Sequence, residues 1–472
     1  MSYYVELPRV ALPGPPPLPL LGARGNLVRF LGDPVPTMLR LHERYGDVVP
    51  LTRDDPGWVL AFGPALNRQI LSDTARFHNF ADNPIRVPPG SAAAKFSLNL
   101  VNQNGDVHRR ARRWMMPAFH KARLLGYANM MAETVGHALD RRSAGEVVDA
   151  RELAVELSLG VALRCLFGVE LRTNLDFGEL VLDFLERVFS PAAMLLPLGL
   201  PGTPYTRFIH ACERLGARIE QLIAERRRAG LAADVLSALI GALEADPDRS
   251  DDELIGQTAL LLVAGHETTA HTLAWTLFLL SQHPDVQVAL TEEIDAAGLG
   301  ERPELDAIMG LPLLGRVLAE SMRLLPTVPL LFFRRSTEPF SLGDHQLPVG
   351  ATVILSPLIT HRDPDCFPHP RRFDPDRWRE LSPTPYQYLP FGAGPRMCVG
   401  ATFGGLALRL MLCLVLRRWL VSVTDDARVS YKTAGVTMGP KRGLRLRLLA
   451  RDRLPSRVEV RGNIHQLVEL RG

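Results

Sequence analysis

The chain has 472 residues, 46% hydrophobic and 22% charged, with a formal charge of +3. That composition excludes a disordered, collagen-like or disulfide-stapled polypeptide and allows a large buried core, and a length rule of roughly 150 residues per domain gives about three domains. The near-balanced charge argues against a nucleic-acid binder, and the arginines are spread along the chain beside only four lysines, Lys95, Lys121, Lys432 and Lys441.

The opening stretch MSYYVELPRV has no apolar core of a secretory signal, and the proline-rich run Pro13 to Pro19 reads as an extended lead-in, with a PxxP ligand as the lesser alternative. A helix is expected over Pro36 to Tyr45, then a hairpin over Val48 to Phe62 turning at Asp55-Pro56-Gly57. Residues 80 to 105 carry Pro84, Pro88, Pro89 and Gly90 without sustained periodicity and read as a long functional loop. From Asp106 to about Leu299 helical patterns dominate, broken at Ser190 to Pro204. The clearest helix opens on the capping box Ser250-Asp251-Asp252-Glu253 and is expected to run unbroken to His283 before Pro284. Its length of about 45 Å and its apolar character on nearly every side place it at the centre of the fold. A further helix covers Leu313 to Leu325. Short strands follow from Phe332 to Leu355, with turns at Gly343-Asp344 and Pro348-Val349-Gly350. Irregular proline-rich chain runs from Asp363 to Pro390, then a glycine-rich loop, then an apolar helix from Val399 to Leu420. The fold class is therefore mainly α with a minor β component. The longest apolar runs, such as Leu410 to Leu416, fall far short of the roughly 20 residues that span a bilayer. A soluble, cytoplasmic, monomeric protein without a transmembrane anchor is expected.

Five cysteines, odd in number and without a CxxC pair, argue against a zinc site or a disulfide framework and favour a reducing compartment. Cys398 stands apart because it lies in Phe391-Gly392-Ala393-Gly394-Pro395-Arg396-Met397-Cys398-Val399-Gly400, where glycines allow tight turns and close approach by a flat ligand. A helix begins there, and its orphan amides favour a thiolate. By itself the setting leaves a core thiol, a nucleophile and a haem ligand all open.

The decapeptide resembles the F-x-x-G-x-R-x-C-x-G signature of the haem-thiolate cytochromes P450 at Phe391, Gly394, Arg396, Cys398 and Gly400. The resemblance implies the cytochrome P450 fold, with the long helix over the haem and Cys398 as the iron ligand beneath it. Ala264-Gly265-His266-Glu267-Thr268-Thr269 is similar to the family's oxygen-activation segment, which implies Glu267 and Thr268 as catalytic proton carriers, with His266 structural. Glu320 and Arg323 form an E-x-x-R pair that says nothing alone. The family sets such a pair against a later arginine, and Phe373-Asp374-Pro375-Asp376-Arg377-Trp378 supplies Arg377, which implies a structural triad that fixes the cysteine loop. By the same resemblance His108, Arg112, Arg396 and Arg335 (or its neighbour Arg334) meet the haem propionates.

The resemblance extends in order and spacing from about Pro13 to Leu448, so the expected organisation is a single domain over residues 1–450 and a C-terminal extension, 451–472, forming a surface extension or edge strand. It implies a monooxygenase that uses haem b and dioxygen, with NAD(P)H electrons arriving through a ferredoxin or flavodoxin and its reductase. Arg109, Arg110, Arg113, Lys121 and Arg123 are a candidate landing surface for that acidic partner. By family position the pocket is lined by the 80 to 105 loop, Ser190 to Pro204, Ala264, the run Val328 to Leu331 and Val436. These small and aliphatic residues imply a lipophilic substrate such as a fatty acid, terpenoid or polyketide-like compound. A haem-thiolate peroxygenase or rearrangement enzyme is the alternative, and a non-catalytic haem sensor a third.

Overall fold

The computed structural model describes residues 7–79, 87–188, 199–248, 250–300, 304–425 and 427–470. Helices dominate the middle of the chain, and most of the short strands precede residue 80 or follow residue 333, with Val147–Asp149 set between helices. Val48–Pro50 and Trp58–Ala61 form the expected hairpin, its turn held by Asp55 Oδ1, which accepts from the Gly57 amide at 2.9 Å. Trp58–Ala61 then pairs in parallel with Thr352–Leu355, and antiparallel Arg334–Ser336 and Phe77–Asn79 complete a five-stranded sheet. The two parallel strands are buried at every residue, as an apolar run with both faces covered requires.

The proline-rich lead-in is part of this sheet's packing. Leu12 is buried, and its amide donates to Asp54 Oδ1 at 3.0 Å, while the Arg53 amide donates to Pro15 O at 2.8 Å. A segment so engaged is not free to serve as a PxxP ligand.

The central helix corrects one expectation. It is two helices, Asp251–Ala264 and Glu267–Gln282, parted at Gly265 and His266. The cause is competition for carbonyl groups: His266 Nδ1 lies 2.8 Å from Leu262 O, the acceptor its own amide would use, and Thr268 Oγ1 donates to Ala264 O at 3.1 Å. Beyond the break, every residue from Thr269 to Gln282 is buried. The capping box is also only half made. Ser250 Oγ accepts from the Glu253 amide, but the Glu253 carboxylate turns away to Arg110 Nη2, 3.1 Å from both oxygens, and to Gln103 Nε2.

The helices Ala150–Phe167, Pro312–Leu324 and Ala401–Arg418 pack around Glu267–Gln282, and a hairpin of Tyr431–Ala434 and Thr437–Pro440 sits against it. Arg445–Leu449 pairs with Val147–Asp149 and Leu420–Val423. After it, the expected surface extension is absent: Val460, Ile464, Leu467 and Val468 are buried in the main core.

Candidate functional site

The cysteine loop is shaped by its backbone. Gly394 has φ +72°, and a Cβ there would lie 2.3 Å from Leu71 O, so only glycine lets the loop meet the helix Pro64–Ser72. The Cys398 amide donates to Phe391 O at 2.9 Å and closes the turn, and the Phe391 ring packs towards Gly404 of the following helix. Cys398 is crowded by protein on most sides yet its residue is open to a water-sized probe. Burial pushes its thiol up, and the Gly400 amide and the Arg112 charge pull it down without prevailing. The helix end therefore does not make a thiolate unaided; coordination to a metal would.

Beside this loop stands a cluster of cations. Arg334 and His108 are buried, Arg396 and Arg112 half-buried. Burial, then repulsion from Arg396, pushes Arg334 down to about 9, and burial, then Arg112, pushes Arg396 down to about 10. His108 is held at about 4 by burial and then by Arg396, Arg112 and Arg334, so it is neutral at pH 7 and offers an N–H rather than a charge. Among the described residues, only neutral oxygens face the two inner arginines. Arg396 Nη2 donates to Gln103 O and to Asn104 Oδ1, while Arg334 Nη1 donates to Asn79 Oδ1 and Phe332 O. Arg396 Nε is buried without a partner among the described residues. Such a set suits two carboxylates, and with an accessible cysteine thiol beside it the donor set fits a haem. Arg334, not Arg335, is the member from the strand: alternation puts Arg335 on the other face, where it is not among the charges that act on His108.

Two residues that the sequence did not single out hold this cluster together. Asn104, the residue before the helix Gly105–Met115, accepts from the Asn79 amide at 2.9 Å and returns Nδ2 to Asn79 O at 3.1 Å. Asn-Gly before a helical pattern was the available signal for Asn104; Asn79 had none.

At the break in the central helix, the Thr268 hydroxyl is tied to Ala264 O, and Ala264 is exposed in the middle of an otherwise packed helix. Burial raises the Glu267 carboxyl above its ordinary value, against the opposing pull of Arg151 and Thr437. His266 is buried and held at about 4 by desolvation, consistent with a structural role.

Glu320 and Arg323 are wholly buried, and Arg377 joins them. Glu320 Oε1 accepts from Arg323 Nη2 at 2.8 Å, Arg377 Nε at 3.0 Å and the Asp374 amide at 3.0 Å; Oε2 accepts from Arg323 Nε at 2.8 Å and Trp378 Nε1 at 3.0 Å. The substrate-lining expectations fare unevenly. Val436 and Val328 are partly buried, and Leu331 is buried in the sheet-side core with its amide bonded to Leu355 O. Phe332 is exposed, and Phe333 packs edge-on against Trp58. Residues 80–86, the start of the 80 to 105 loop, and 189–198, most of the Ser190 to Pro204 segment, lie outside the described residues. Thr327 brings the remaining lining elements together: its carbonyl accepts from the Met438 amide at 2.8 Å, and its hydroxyl from Thr272 at 3.5 Å.

Comparison with known proteins agrees with this geometry. The family profile described as Cytochrome P450 matches residues 12–446. The chain is 32% identical over 413 residues to cyclooctatin synthase of Streptomyces melanosporofaciens, covering 84% of this chain and 88% of that protein. It is 29% identical to pentalenene oxygenase of Streptomyces avermitilis, covering 94% and 98%. Among solved structures, the retinoic acid bound cyanobacterial CYP120A1 superposes with a TM-score of 0.81 at 25% identity, over 94% of this chain and 99% of that one. No helix of the described residues is long and apolar enough to cross a membrane. A glycine-shaped cysteine loop, an acid–threonine pair at a helix break and a family match over nearly the whole chain converge: the chain belongs to the cytochrome P450 family and is a monooxygenase.

Proposed function

We propose that this monooxygenase works in the cytoplasm on a lipophilic terpenoid-like framework, which it hydroxylates or epoxidises, with haem b as its cofactor. One oxygen atom enters the substrate and the other leaves as water, consuming two electrons and two protons. The observation that carries the reading is the set of three cations, Arg334, Arg396 and Arg112, with the neutral N–H donor His108 among them, beside the Cys398 loop. The names of the two Streptomyces relatives favour a terpenoid over a fatty acid or polyketide. Haem supplies the oxygen-activating iron, with Cys398 as its protein ligand and propionates met by the four cationic-cluster residues.

The protein's own part is positioning and proton supply. Glu267, kept protonated to higher pH by burial, holds a proton next to the Thr268 hydroxyl, which can leave Ala264 O to pass it on. A screen of terpenoid hydrocarbons and fatty acids for a haem spin-state shift identifies the substrate class; response to fatty acids alone refutes the terpenoid reading. With a responding compound, Thr268→Ala is expected to lower product per NAD(P)H by roughly tenfold. The ratio in the wild type should fall as pH rises through the raised Glu267 value, because a carboxylate has no proton to give, and should be low and flat in Glu267→Gln. Stability carries the same sign. A carboxyl raised in the folded state favours folding fully only below its unfolded value and loses that favour as pH rises through the folded one, so Glu267→Gln should be the more stable protein at pH 8.

Electrons are proposed to come from a ferredoxin or flavodoxin with its reductase. Arg113 and Arg123 are exposed and suit an acidic partner, whereas Arg109 is paired with Asp106 and Arg110 with Glu253. Charge reversal at Arg113 should slow reduction by such a partner about tenfold at low salt and little at high salt, as steering requires. Equal rates at both ionic strengths count against this surface.

A further inference from the structure

Residues 455–470 lie beyond the family match, which ends at 446, yet they are bonded to the body at both ends. At one end the segment runs parallel to the chain that leads into the Tyr431–Pro440 hairpin, with Arg428 and Arg461 as bridge partners. The Val429 amide donates to Arg461 O at 2.7 Å and the Arg461 amide to Ala427 O at 3.0 Å. Gly462 makes this approach feasible: its φ is +127°, and a Cβ would lie 2.0 Å from Val429 O. Asn463 then takes the first hairpin residue in a reciprocal grip, accepting from the Tyr431 amide at 2.8 Å and donating to Tyr431 O at 3.3 Å. The Tyr431 hydroxyl donates to Gln466 Oε1 at 2.7 Å.

At its other end the segment is tied to the region of the Glu320 triad. The half-buried Arg362 side chain donates to Leu324 O at 2.7 Å, at the end of the triad helix, to Leu358 O at 3.1 Å, and to Leu467 O at 2.9 Å. Arg371 Nη2 donates to His465 O at 2.6 Å, and the Glu469 amide to Arg371 O at 2.9 Å. Val460, Ile464, Leu467 and Val468 of the segment are buried.

The hairpin so gripped is the one that reaches the reacting region. Gly439 lies flat against the His271 ring, where a Cβ would come within 2.4 Å of the imidazole; Met438 is bonded to Thr327; Thr437 faces Glu267; and Val436 is the proposed substrate contact. We infer that residues 455–470 are a strap that positions this hairpin, with Asn463 as a positioning residue for substrate recognition. Asn463 acts through Tyr431 and touches neither substrate nor haem. The inference rests on the proposed pocket reading, and its test separates the two.

Hydrogen exchange of the Tyr431–Pro440 amides should quicken at least about tenfold in Asn463→Ala, as loss of two backbone-directed hydrogen bonds implies, and partly recover in Asn463→Asp, which keeps the acceptor. Haem absorbance titrations should show 4-phenylimidazole, whose ring must share the pocket with Val436, binding about tenfold more weakly, while bare imidazole binds unchanged. Gly462→Ala should reproduce both effects, and Glu459→Ala, on the exposed side of the strap, neither. Wild-type exchange and wild-type 4-phenylimidazole affinity in Asn463→Ala overturn the inference. So does equal weakening of both azoles, which marks a general loss of the haem environment. If the wild type itself gives no azole spectrum, the pocket reading fails while the exchange arm still decides the strap.

Discussion

Glu320→Ala should unfold or nearly unfold this protein. The substitution leaves the wholly buried Arg323 without a counter-charge and Arg377 with only the 3.8 Å contact to Asp374, a change that costs about 3–5 kcal/mol, against a total stability of about 5–15 kcal/mol for a typical domain. The loss reaches the cysteine loop through a traceable path. Arg323 uses all five of its N–H groups: two on Glu320, and three on His361 O, Pro370 O and Arg372 O. His361 in turn accepts the Leu389 amide on Nε2 at 2.8 Å, and Tyr388 donates to Ala319 O at 2.9 Å, just before the chain enters the loop at Phe391. Burial holds His361 neutral at about 3, which keeps that nitrogen an acceptor at all working pH values. Arg323→Lys should be nearly as damaging as Arg323→Ala, because an ammonium has three donors and no planar fork for five fixed acceptors. Urea unfolding followed by circular dichroism gives the cost, and the carbon monoxide spectrum of the reduced protein reports whether the thiolate survives. A midpoint within about 0.5 kcal/mol of the wild type for Glu320→Ala, the range of ordinary surface changes, would show that the triad is dispensable.

What the sequence made legible is what short strings carry. The cysteine decapeptide, the acid–threonine pair and the E-x-x-R pair each put their chemistry within a few residues, and the family order related them. The turn at Asp55-Pro56-Gly57 was equally local. Three features were hidden because each depends on a choice between near-equal partners made only in the folded chain. The break at Gly265 and His266 arises when a buried imidazole takes a carbonyl that its own amide would otherwise hold, and no periodicity records that exchange. Which of Arg334 and Arg335 turns inward is fixed by the register of a three-residue strand against Phe77–Asn79, a pairing across most of the chain. The strap is held by Arg362, Arg371 and Asn463, whose partners lie far away in sequence and are mostly backbone carbonyls that no residue pattern marks.

Arg334→Met should have opposite effects on the protein with and without haem. In the protein alone, the Arg334 guanidinium is buried, faces only Asn79 and the Phe332 carbonyl, and is repelled by Arg396; among the described residues no carboxylate lies within ion-pair distance. A buried charge in that position opposes folding, and an apolar side chain of similar volume in place of such a group is stabilising by about 1–4 kcal/mol in comparable cases. The apoprotein of Arg334→Met should therefore unfold at higher urea than the wild-type apoprotein. Haem binding reverses the balance, because a propionate supplies the missing negative charge and a hydrogen bond to a charged group is worth about 1.5–3 kcal/mol. Haem should then leave the variant roughly ten- to a hundredfold faster, as measured by transfer to an acceptor protein. Arg335→Met, on the other face of the strand, should change neither quantity appreciably. The crossing of signs is the decisive feature. A merely structural arginine would lower both stabilities together, and a solvent-facing one would change neither, so only a cation kept in the interior for an incoming carboxylate gives a firmer apoprotein with a looser cofactor.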